Sequence, residues 1–219
     1  MQFRIRWIVS LLLELFVAIA VPLAWGALVF RQSDGALMTA RGLNTLKYFT
    51  VLSNLLAGAA SLLTVVWLLR GAKTGGRLPR WLVVLRITAA ACVMLTFLTV
   101  AAFLGPLFGY AAMFGGPSLW LHLFIPLASA ASVLLLRGER MARRELLWCL
   151  APVGAYAVFY LGNILIHGIG TRPQSNDWYN LLNWGWGVGL VLFAGLLCFV
   201  LGSAAALRLG YHASNTKNG

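Results

Sequence analysis

The sequence predicts an all-α membrane protein in which six helices cross the bilayer and both termini lie in the cytoplasm. Hydrophobic residues make up 61% of the 219 residues and charged residues only 10%. Six stretches are long enough to cross a hydrocarbon core of roughly 30 Å, which takes about 20 mostly apolar residues in a helix. Lysine and arginine collect in alternate connections between these stretches. We predict a single six-helix domain over residues 1–210 and a short cytoplasmic tail over residues 211–219.

The first three predicted spans are Trp7–Phe30, Lys47–Leu69 and Trp81–Leu104. The first follows Arg4 and Arg6, as the apolar core of a signal peptide does. Its apolar run is too long for that role and is interrupted by Glu14. We therefore expect it to stay in the membrane as a helix. The second and third spans are apolar runs joined by a short basic connection.

The last three predicted spans are Leu119–Leu136, Leu146–His167 and Trp184–Leu207. Before the fourth, the uncharged and glycine-rich connection 105–118 is expected to lie in the membrane interface or to fold back as a lid. The fourth span contains Pro126, which lacks the N–H that bonds to the carbonyl four residues earlier and so frees the carbonyl of His122. After Arg208 we expect a short disordered end.

The distribution of basic residues sets the predicted orientation. Both ends of the chain and the second and fourth connections are rich in lysine and arginine: Arg4 and Arg6; Arg70, Lys73, Arg77 and Arg80; Arg137, Arg140, Arg143 and Arg144; Arg208 and Lys217. Cytoplasmic loops carry such an excess. Topology and attraction to anionic lipid headgroups explain the net charge of +12 better than nucleic-acid binding does. We therefore predict membrane lipids as partners and no nucleic acid.

The residues that usually bind metals are scarce and scattered. The cysteines Cys92, Cys149 and Cys198 fall singly in three different spans, as small buried hydrophobic residues do. With three histidines and five acidic residues, a metal cluster would use nearly all the available ligands. We predict no metal and no cofactor.

Polar residues near the outer ends of the spans form a predicted functional layer. A helix rises about 1.5 Å per residue, which brings these residues to similar depths in the outer leaflet: Thr50, Ser53, Asn54, His122, Asn163, His167, Asp177 and Asn183. Hydrogen-bonding groups at membrane depth normally face the interior of the bundle and mark a functional site. The alternative for each residue alone is structural, since a threonine often bonds to its own helix and a histidine near a helix end is often interfacial.

This layer has the groups needed for acyl transfer. A threonine hydroxyl such as that of Thr50 is a weak nucleophile and needs a base, a role suited to His122. Amides such as those of Asn54 or Asn163 could donate to an oxyanion. A carboxylate that orients the histidine could be Asp34 or Asp177, and the sequence leaves this role open. Further residues are expected to bind substrate or to line the mouth of the site: Ser53, His167, Asp177, Asn183, Trp178, Tyr179 and Trp184.

Two charged residues lie in a different layer. Glu14 and Arg86 are both about 7–10 Å from the cytoplasmic ends of their spans, as judged from the helical rise. Opposite charges at similar depth predict a buried ion pair that fixes helix packing. The alternatives are a proton or substrate relay, or an Arg86 side chain that reaches the inner headgroups.

Three short segments resemble a known family. They are LKYFTVLSNLL at positions 46–56, HLFIP at positions 122–126, and the spacing of Trp148, Pro152 and Tyr156. They are similar to segments of the androgen-induced and androgen-dependent TFPI-regulating membrane proteins and their bacterial relatives, which also have six spans. The resemblance implies an intramembrane hydrolase of fatty acid esters of hydroxy fatty acids in the plasma membrane of a bacterium. It assigns the nucleophile to Thr50 and the histidine to His122.

Three functions follow as hypotheses. The first is a lipid-ester hydrolase with Thr50 as nucleophile and His122 as base. The second is a non-catalytic membrane protein that binds a lipid or another small molecule in the same polar layer. The third, a transporter or channel, is disfavoured because the chain has no internal repeat and few acidic residues along its spans.

Overall fold

The computed structural model of the protein describes residues 2–30, 40, 42–71, 76–171 and 175–216, with the side chains of residues 2–4, 107 and 108 outside this set. Six segments are long and apolar enough to cross a membrane: Ile5–Phe30, Phe49–Arg70, Arg80–Leu104, Pro117–Leu135, Arg143–His167 and Gly185–Thr216. Across the described ranges there is no strand, only one isolated bridge between Leu78 and Gly138. The predicted fold class, an all-α protein with six membrane-spanning helices, is confirmed.

The spans are built from helices of several kinds. The α-helices are α1 (Gln2–Phe30), α2 (Phe49–Arg70), α3 (Arg80–Thr99), α4 (Gly105–Phe108), α5 (Tyr110–Met113), α6 (Pro117–Leu119), α7 (Ile125–Leu135), α8 (Leu150–His167) and α9 (Gly185–Thr216). Short 3₁₀ helices precede α2 and α8, at Gly42–Lys47 and Arg143–Cys149. Two π-helical turns, Val100–Leu104 and Trp120–Phe124, interrupt the third and fourth spans.

The second π turn has a local cause. Pro126 is the second residue of α7 and has no N–H to donate into the turn before it. The hydrogen-bond ladder therefore changes register just ahead of the proline, over Trp120–Phe124. Single π turns of this kind are rare and are often found at functional sites. His122 lies in the middle of this turn.

The third span is the centre of the bundle. Its residues Ile87, Ala89, Ala90, Ala91, Cys92 and Val93 are all fully buried. Helix α3 packs against α2, α7 and α9, while α1 packs against α2 and α7. Small side chains let helices approach closely, which is how membrane helices associate when the lipid is as apolar as they are.

The start of α1 and the end of α9 meet at one end of the bundle, called the terminal end below. The Arg6 guanidinium donates to the carbonyl oxygens of Leu135 and Ser214, at 2.7 Å each. The Tyr211 hydroxyl donates to the carbonyl of Glu139 at 3.1 Å, and the Tyr211 side chain is only 1% exposed. The prediction of a disordered end after Arg208 is therefore wrong as far as Thr216, because these contacts extend α9 well beyond Leu207.

The connection between the third and fourth spans is folded into short helices. Gly105 packs so closely under the Tyr110 ring that an added Cβ would lie 2.4 Å from a ring carbon. Gly109 and Gly116 have φ angles of 88° and 55°, which favour glycine. This folding buries Met113 and turns its carbonyl toward the fourth span.

Candidate functional site

Helix α2 begins at a contact with the last interhelical connection. Tyr48 is extended, with φ −87° and ψ 130°, and the helix starts at Phe49. The amide of Phe49 is one of the first four of the helix, which have no acceptor within it. It donates instead to the Tyr179 hydroxyl at 2.8 Å. Thr50, the second residue of the helix, thus lies beside Tyr179 although the two are far apart in sequence.

Thr50 differs from the buried residues Thr64 and Thr96 in the hydrogen bonding of its hydroxyl. Thr64 and Thr96 each donate to a carbonyl three or four residues earlier, at 2.8 and 2.7 Å. For Thr50 the carbonyl three residues earlier belongs to Lys47, which precedes the helix and already accepts from the Tyr156 hydroxyl at 2.7 Å. Within the described residues, the Thr50 hydroxyl has no hydrogen-bond partner, although Thr50 is only 6% exposed.

Thr50 lines a cavity of about 500 Å³ between the third, fifth and sixth spans. The lining residues are uncharged and mostly apolar: Phe49, Thr50, Leu95, Thr96, Leu98, Thr99, Val100, Ala102, Phe103, Leu104, Val153, Tyr156, Tyr179, Leu181, Val191, Leu192, Phe193, Gly195, Leu196 and Phe199. Ligand sites typically measure about 300–1,000 Å³, with apolar walls and a few convergent polar groups. Here the hydroxyls of Thr50, Tyr156 and Tyr179 are such groups.

Tyr156 and Tyr179 hold the polar end of the cavity together. The Tyr156 hydroxyl accepts from the Trp178 indole at 3.0 Å while it donates to Lys47. Burial raises the pKa of Tyr179 to about 12, so this phenol keeps its proton at ordinary pH. The Tyr179 oxygen accepts from the Phe49 amide, and its hydroxyl also lies within hydrogen-bonding reach of the Tyr156 hydroxyl.

The connection that carries Tyr179 reaches deep into the bundle. Tyr156 lies three turns before the end of α8, about 16 Å below it. Leu182 packs closely against Gly189 near the start of α9. A Cβ added at Gly189 would lie 2.3 Å from the Leu182 side chain. The connection therefore extends about three turns below the end of α8, where the Trp178 indole contacts Tyr156.

Asp177 stabilises this connection. Its carboxylate accepts from the amides of Leu181 and Leu182, at 2.9 Å each, and from the Tyr160 hydroxyl. The residue is 3% exposed. Both oxygens are thus occupied by groups other than His122, so Asp177 does not orient the histidine. Asp34, the other candidate carboxylate, lies outside the described residues.

His122 is buried and anchored through one ring nitrogen. Nδ1 lies 3.0 Å from the carbonyl oxygen of Met113, and the residue is 4% exposed. A carbonyl can only accept, so Nδ1 carries the proton and Nε2 has the free lone pair in a neutral ring. Nε2 has no hydrogen-bond partner in the part of the chain that the structure describes. His122 is not one of the residues that line the cavity of Thr50.

Asn54 connects the backbones on which the two candidate catalytic residues lie. Its Nδ2 donates to the carbonyl of Thr50 at 2.7 Å and to the carbonyl of Leu121 at 3.1 Å. Both amide protons are therefore used, so Asn54 is not the free oxyanion donor that the sequence suggested. Ser53 likewise donates to the carbonyl of Thr50, at 3.1 Å. Both side chains fix the backbone of this turn.

The remaining residues of the predicted layer lie away from the cavity. Asn163 donates to the Asn176 side chain at 3.1 Å and so helps to hold the last connection. His167 and Asn183 are exposed, and neither lines the cavity. Trp184, expected at the mouth, is 57% exposed and does not line it either. These residues were grouped by depth, but depth alone does not specify which face of a helix a side chain occupies.

Glu14 and Arg86 form an ion pair inside the bundle. The guanidinium Nη2 of Arg86 is 3.0 Å from the Glu14 carboxylate, and both side chains are at most 1% exposed. Arg86 also donates to the Ser132 hydroxyl at 3.0 Å, and Ser132 donates to Glu14. The three residues link the first, third and fourth spans. Arg86 does not extend to the headgroups, since the pair holds it in the core.

The sequence analysis did not identify Tyr156, Tyr160 or the backbone carbonyl of Met113 as parts of the site. A tyrosine such as Tyr156 in the middle of an apolar span was the available signal for the buried hydroxyls.

Comparison of the chain with protein-family models, with curated proteins and with solved structures gave no match. The functional interpretation therefore depends on the residues and their geometry.

Proposed function

We propose that the protein is an intramembrane hydrolase of lipid esters that uses Thr50 as its nucleophile. The observation that carries this proposal is the Thr50 hydroxyl, which is buried, lines an apolar cavity of about 500 Å³ and has no hydrogen-bond partner within the described residues. An apolar wall suits an acyl chain, and an unbonded hydroxyl at the polar end suits the ester carbonyl. Fatty acid esters of hydroxy fatty acids are the substrate class that the resemblance of the Thr50 and His122 segments favours.

In the proposed reaction, the Thr50 oxygen attacks the ester carbonyl carbon while its proton passes to Nε2 of His122. The tetrahedral intermediate carries an oxyanion, to which the Tyr179 O–H donates. Collapse expels the alcohol, which takes the proton from His122 and leaves an acyl-threonine. Water then attacks the acyl group by the same route, releases the fatty acid and restores Thr50.

His122 supports this mechanism through its tautomer and its anchor. The Met113 carbonyl fixes the proton on Nδ1, which leaves Nε2 as the base. The Asn54 amide, bonded to the carbonyls of Thr50 and Leu121, holds the two backbones beside each other. The proposal requires Nε2 to reach the Thr50 hydroxyl directly or through one water when substrate is bound.

The test is release of fatty acid from a fatty acid ester of a hydroxy fatty acid by the detergent-purified protein. Wild type is compared with Thr50→Ala, Thr50→Ser and His122→Ala, each checked for folding by thermal unfolding. Turnover that is lost in the two alanine variants and retained in part by Thr50→Ser supports the mechanism. Full turnover by folded Thr50→Ala removes it.

A second candidate is lipid binding without turnover. Two observations favour it: His122 does not line the cavity, and the Asp177 carboxylate is occupied by its own turn. This candidate predicts saturable binding of a fatty acid by wild type and Thr50→Ala alike, with no release of product from any ester.

The orientation and the membrane are also proposals. The terminal end carries Arg6, Arg77, Arg140 and Arg208, and cytoplasmic ends carry such an excess of positive charge. We therefore assign the terminal end to the cytoplasm, where these residues meet anionic headgroups, and Thr50 to the opposite leaflet. The bacterial inner membrane is the membrane that the resemblance favours. Single-cysteine variants at the exposed residues Arg140 and Asn183 test this orientation. When intact cells are treated with an impermeant thiol reagent, only Asn183→Cys should react.

A further inference from the structure

We propose that the cavity of Thr50 opens sideways into the bilayer, between the third and sixth spans, and that its occupant is one hydrocarbon chain of a lipid from the surrounding leaflet. The proposal deepens the proposed function, since it takes Thr50 as the reacting end of the site. It also defines the substrate class: a lipid dissolved in the membrane, not an ester that arrives from water.

The residues that line the opening are apolar and exposed, although they lie within membrane spans. On the third span, Ala102 is exposed and Phe103 is 37% exposed. On the sixth span, Val191 and Phe199 are 71% and 42% exposed, and Gly195 between them is exposed as well. All five line the cavity. In a membrane such side chains meet hydrocarbon, so an opening between them leads to lipid.

The other end of the cavity is polar and is covered by protein. Tyr179 and Leu181 line it there, and both belong to the connection that Asp177 stabilises. This connection is packed against Tyr156 through the Trp178 indole. A ligand therefore has its polar group beside Thr50 and Tyr179 and its apolar part toward the exposed residues of the third and sixth spans.

The length of the cavity fits part of a lipid chain. Val191 and Phe199 are eight residues apart on α9, which corresponds to about 12 Å along the helix. An extended chain advances about 1.2 Å per bond, as extended polypeptide does. About ten carbon–carbon bonds therefore fit between the level of Val191 and that of Phe199, and a longer chain continues into the bilayer.

None of the described residues that line the cavity is charged. Transfer of a hydrocarbon chain from one apolar environment to another leaves little hydrophobic driving force, so affinity must come from close packing and from the polar end. This favours a single flexible chain with a carbonyl at its head, because such a ligand can satisfy Thr50 and Tyr179 while it fills the apolar part.

Two glycines on α9 provide a matched pair of variants. Gly195 lines the cavity, whereas Gly202 does not. They are seven residues apart, about two turns, and so lie on nearly the same face of the helix. A Cβ at either position meets nothing within 4 Å. Both residues are exposed, so a larger side chain can begin at either without meeting a neighbour, but only Gly195→Trp places its indole at the opening.

The experiment uses the full chain in proteoliposomes with a trace of a fatty acid that carries a photoreactive diazirine in mid-chain. After illumination, the labelled residues are mapped by mass spectrometry. We expect adducts within 98–103 and 191–199 that unlabelled oleate displaces. We expect Gly195→Trp to lower this labelling about tenfold or more, because the indole overpacks the space that the chain would occupy, and Gly202→Trp to leave it unchanged.

Equal labelling of the two tryptophan variants, or adducts spread over the lipid-facing sides of α1 and α8 that oleate does not displace, would overturn the lateral opening. This readout does not depend on catalysis. Specific labelling without any ester hydrolysis retains the opening and rejects the hydrolase. Hydrolysis of long-chain esters that is equal in Gly195→Trp and Gly202→Trp retains the hydrolase and rejects the opening.

Discussion

The hydroxyl of Tyr179 accepts a hydrogen bond from the backbone amide of Phe49 at 2.8 Å, one residue before Thr50. This contact joins the last interhelical connection to the first turn of α2. It places a phenol that keeps its proton, with a pKa of about 12, next to an unbonded threonine hydroxyl. This contact therefore helps to form the polar end of the cavity, which Phe49, Thr50 and Tyr179 all line.

Replacement of Tyr179 by phenylalanine should lower the turnover number about a hundredfold or more, the usual effect of the loss of one oxyanion donor. It should also destabilise the fold by about 1–3 kcal/mol, since the Phe49 amide is left without its acceptor. The turnover number is measured as fatty acid release and the stability by denaturant unfolding. Tyr110→Phe is the control, because it loses a hydrogen bond to the carbonyl of Ala101 but does not line the cavity. Normal turnover in a folded Tyr179→Phe protein would exclude the phenol as donor.

Replacement of Asp177 by alanine should lower the free energy of unfolding by several kcal/mol. The amides of Leu181 and Leu182 and the Tyr160 hydroxyl all lose their acceptor. Each unsatisfied group costs about 1–3 kcal/mol. Asp177→Asn, which keeps an acceptor oxygen, should be milder and should retain most of the turnover. Thermal unfolding and fatty acid release measure the two effects. A stable Asp177→Asn protein with no turnover would instead make Asp177 part of the catalytic machinery.

Removal of one member of the Glu14–Arg86 pair should cost about 3–5 kcal/mol, because the remaining charge is buried without a partner. The double variant Glu14→Leu with Arg86→Met should recover much of that loss, since a well-packed apolar pair can replace a buried ion pair. Unfolding in detergent measures all three proteins. If Glu14→Gln were fully stable and abolished a proton flux of the wild type in liposomes, a relay would be the correct interpretation.

Replacement of Tyr211 by alanine should destabilise the protein by about 3–5 kcal/mol, the range for large aromatic residues in cores. Tyr211→Phe should cost only about 1 kcal/mol, the usual worth of one hydrogen bond, here the one to the carbonyl of Glu139. Melting temperatures of the two variants measure the difference. Equal and negligible effects would show that residues after Arg208 behave as the disordered end that the sequence predicts.

The order and number of the spans follow from the sequence, because a bilayer of fixed thickness demands an apolar run of fixed length. The ion pair of Glu14 and Arg86 was predicted from two opposite charges at similar depth, and the structure contains it. The disordered end after Arg208 was wrong, because the contacts of Arg6 and Tyr211 with distant carbonyls extend the helix and no local pattern indicates them.

For Thr50 and His122, the sequence predicts the depth in the membrane, and the tertiary structure determines the hydrogen-bond partners. The sequence marks both as polar groups at membrane depth. Only the fold decides that the Thr50 hydroxyl is unbonded, that the Met113 carbonyl fixes the His122 tautomer, and that Asp177 is engaged in its own turn. Each of these outcomes depends on which way a side chain points and on a partner supplied by another segment. Depth along a helix does not contain that information, whereas the packing of neighbouring helices does.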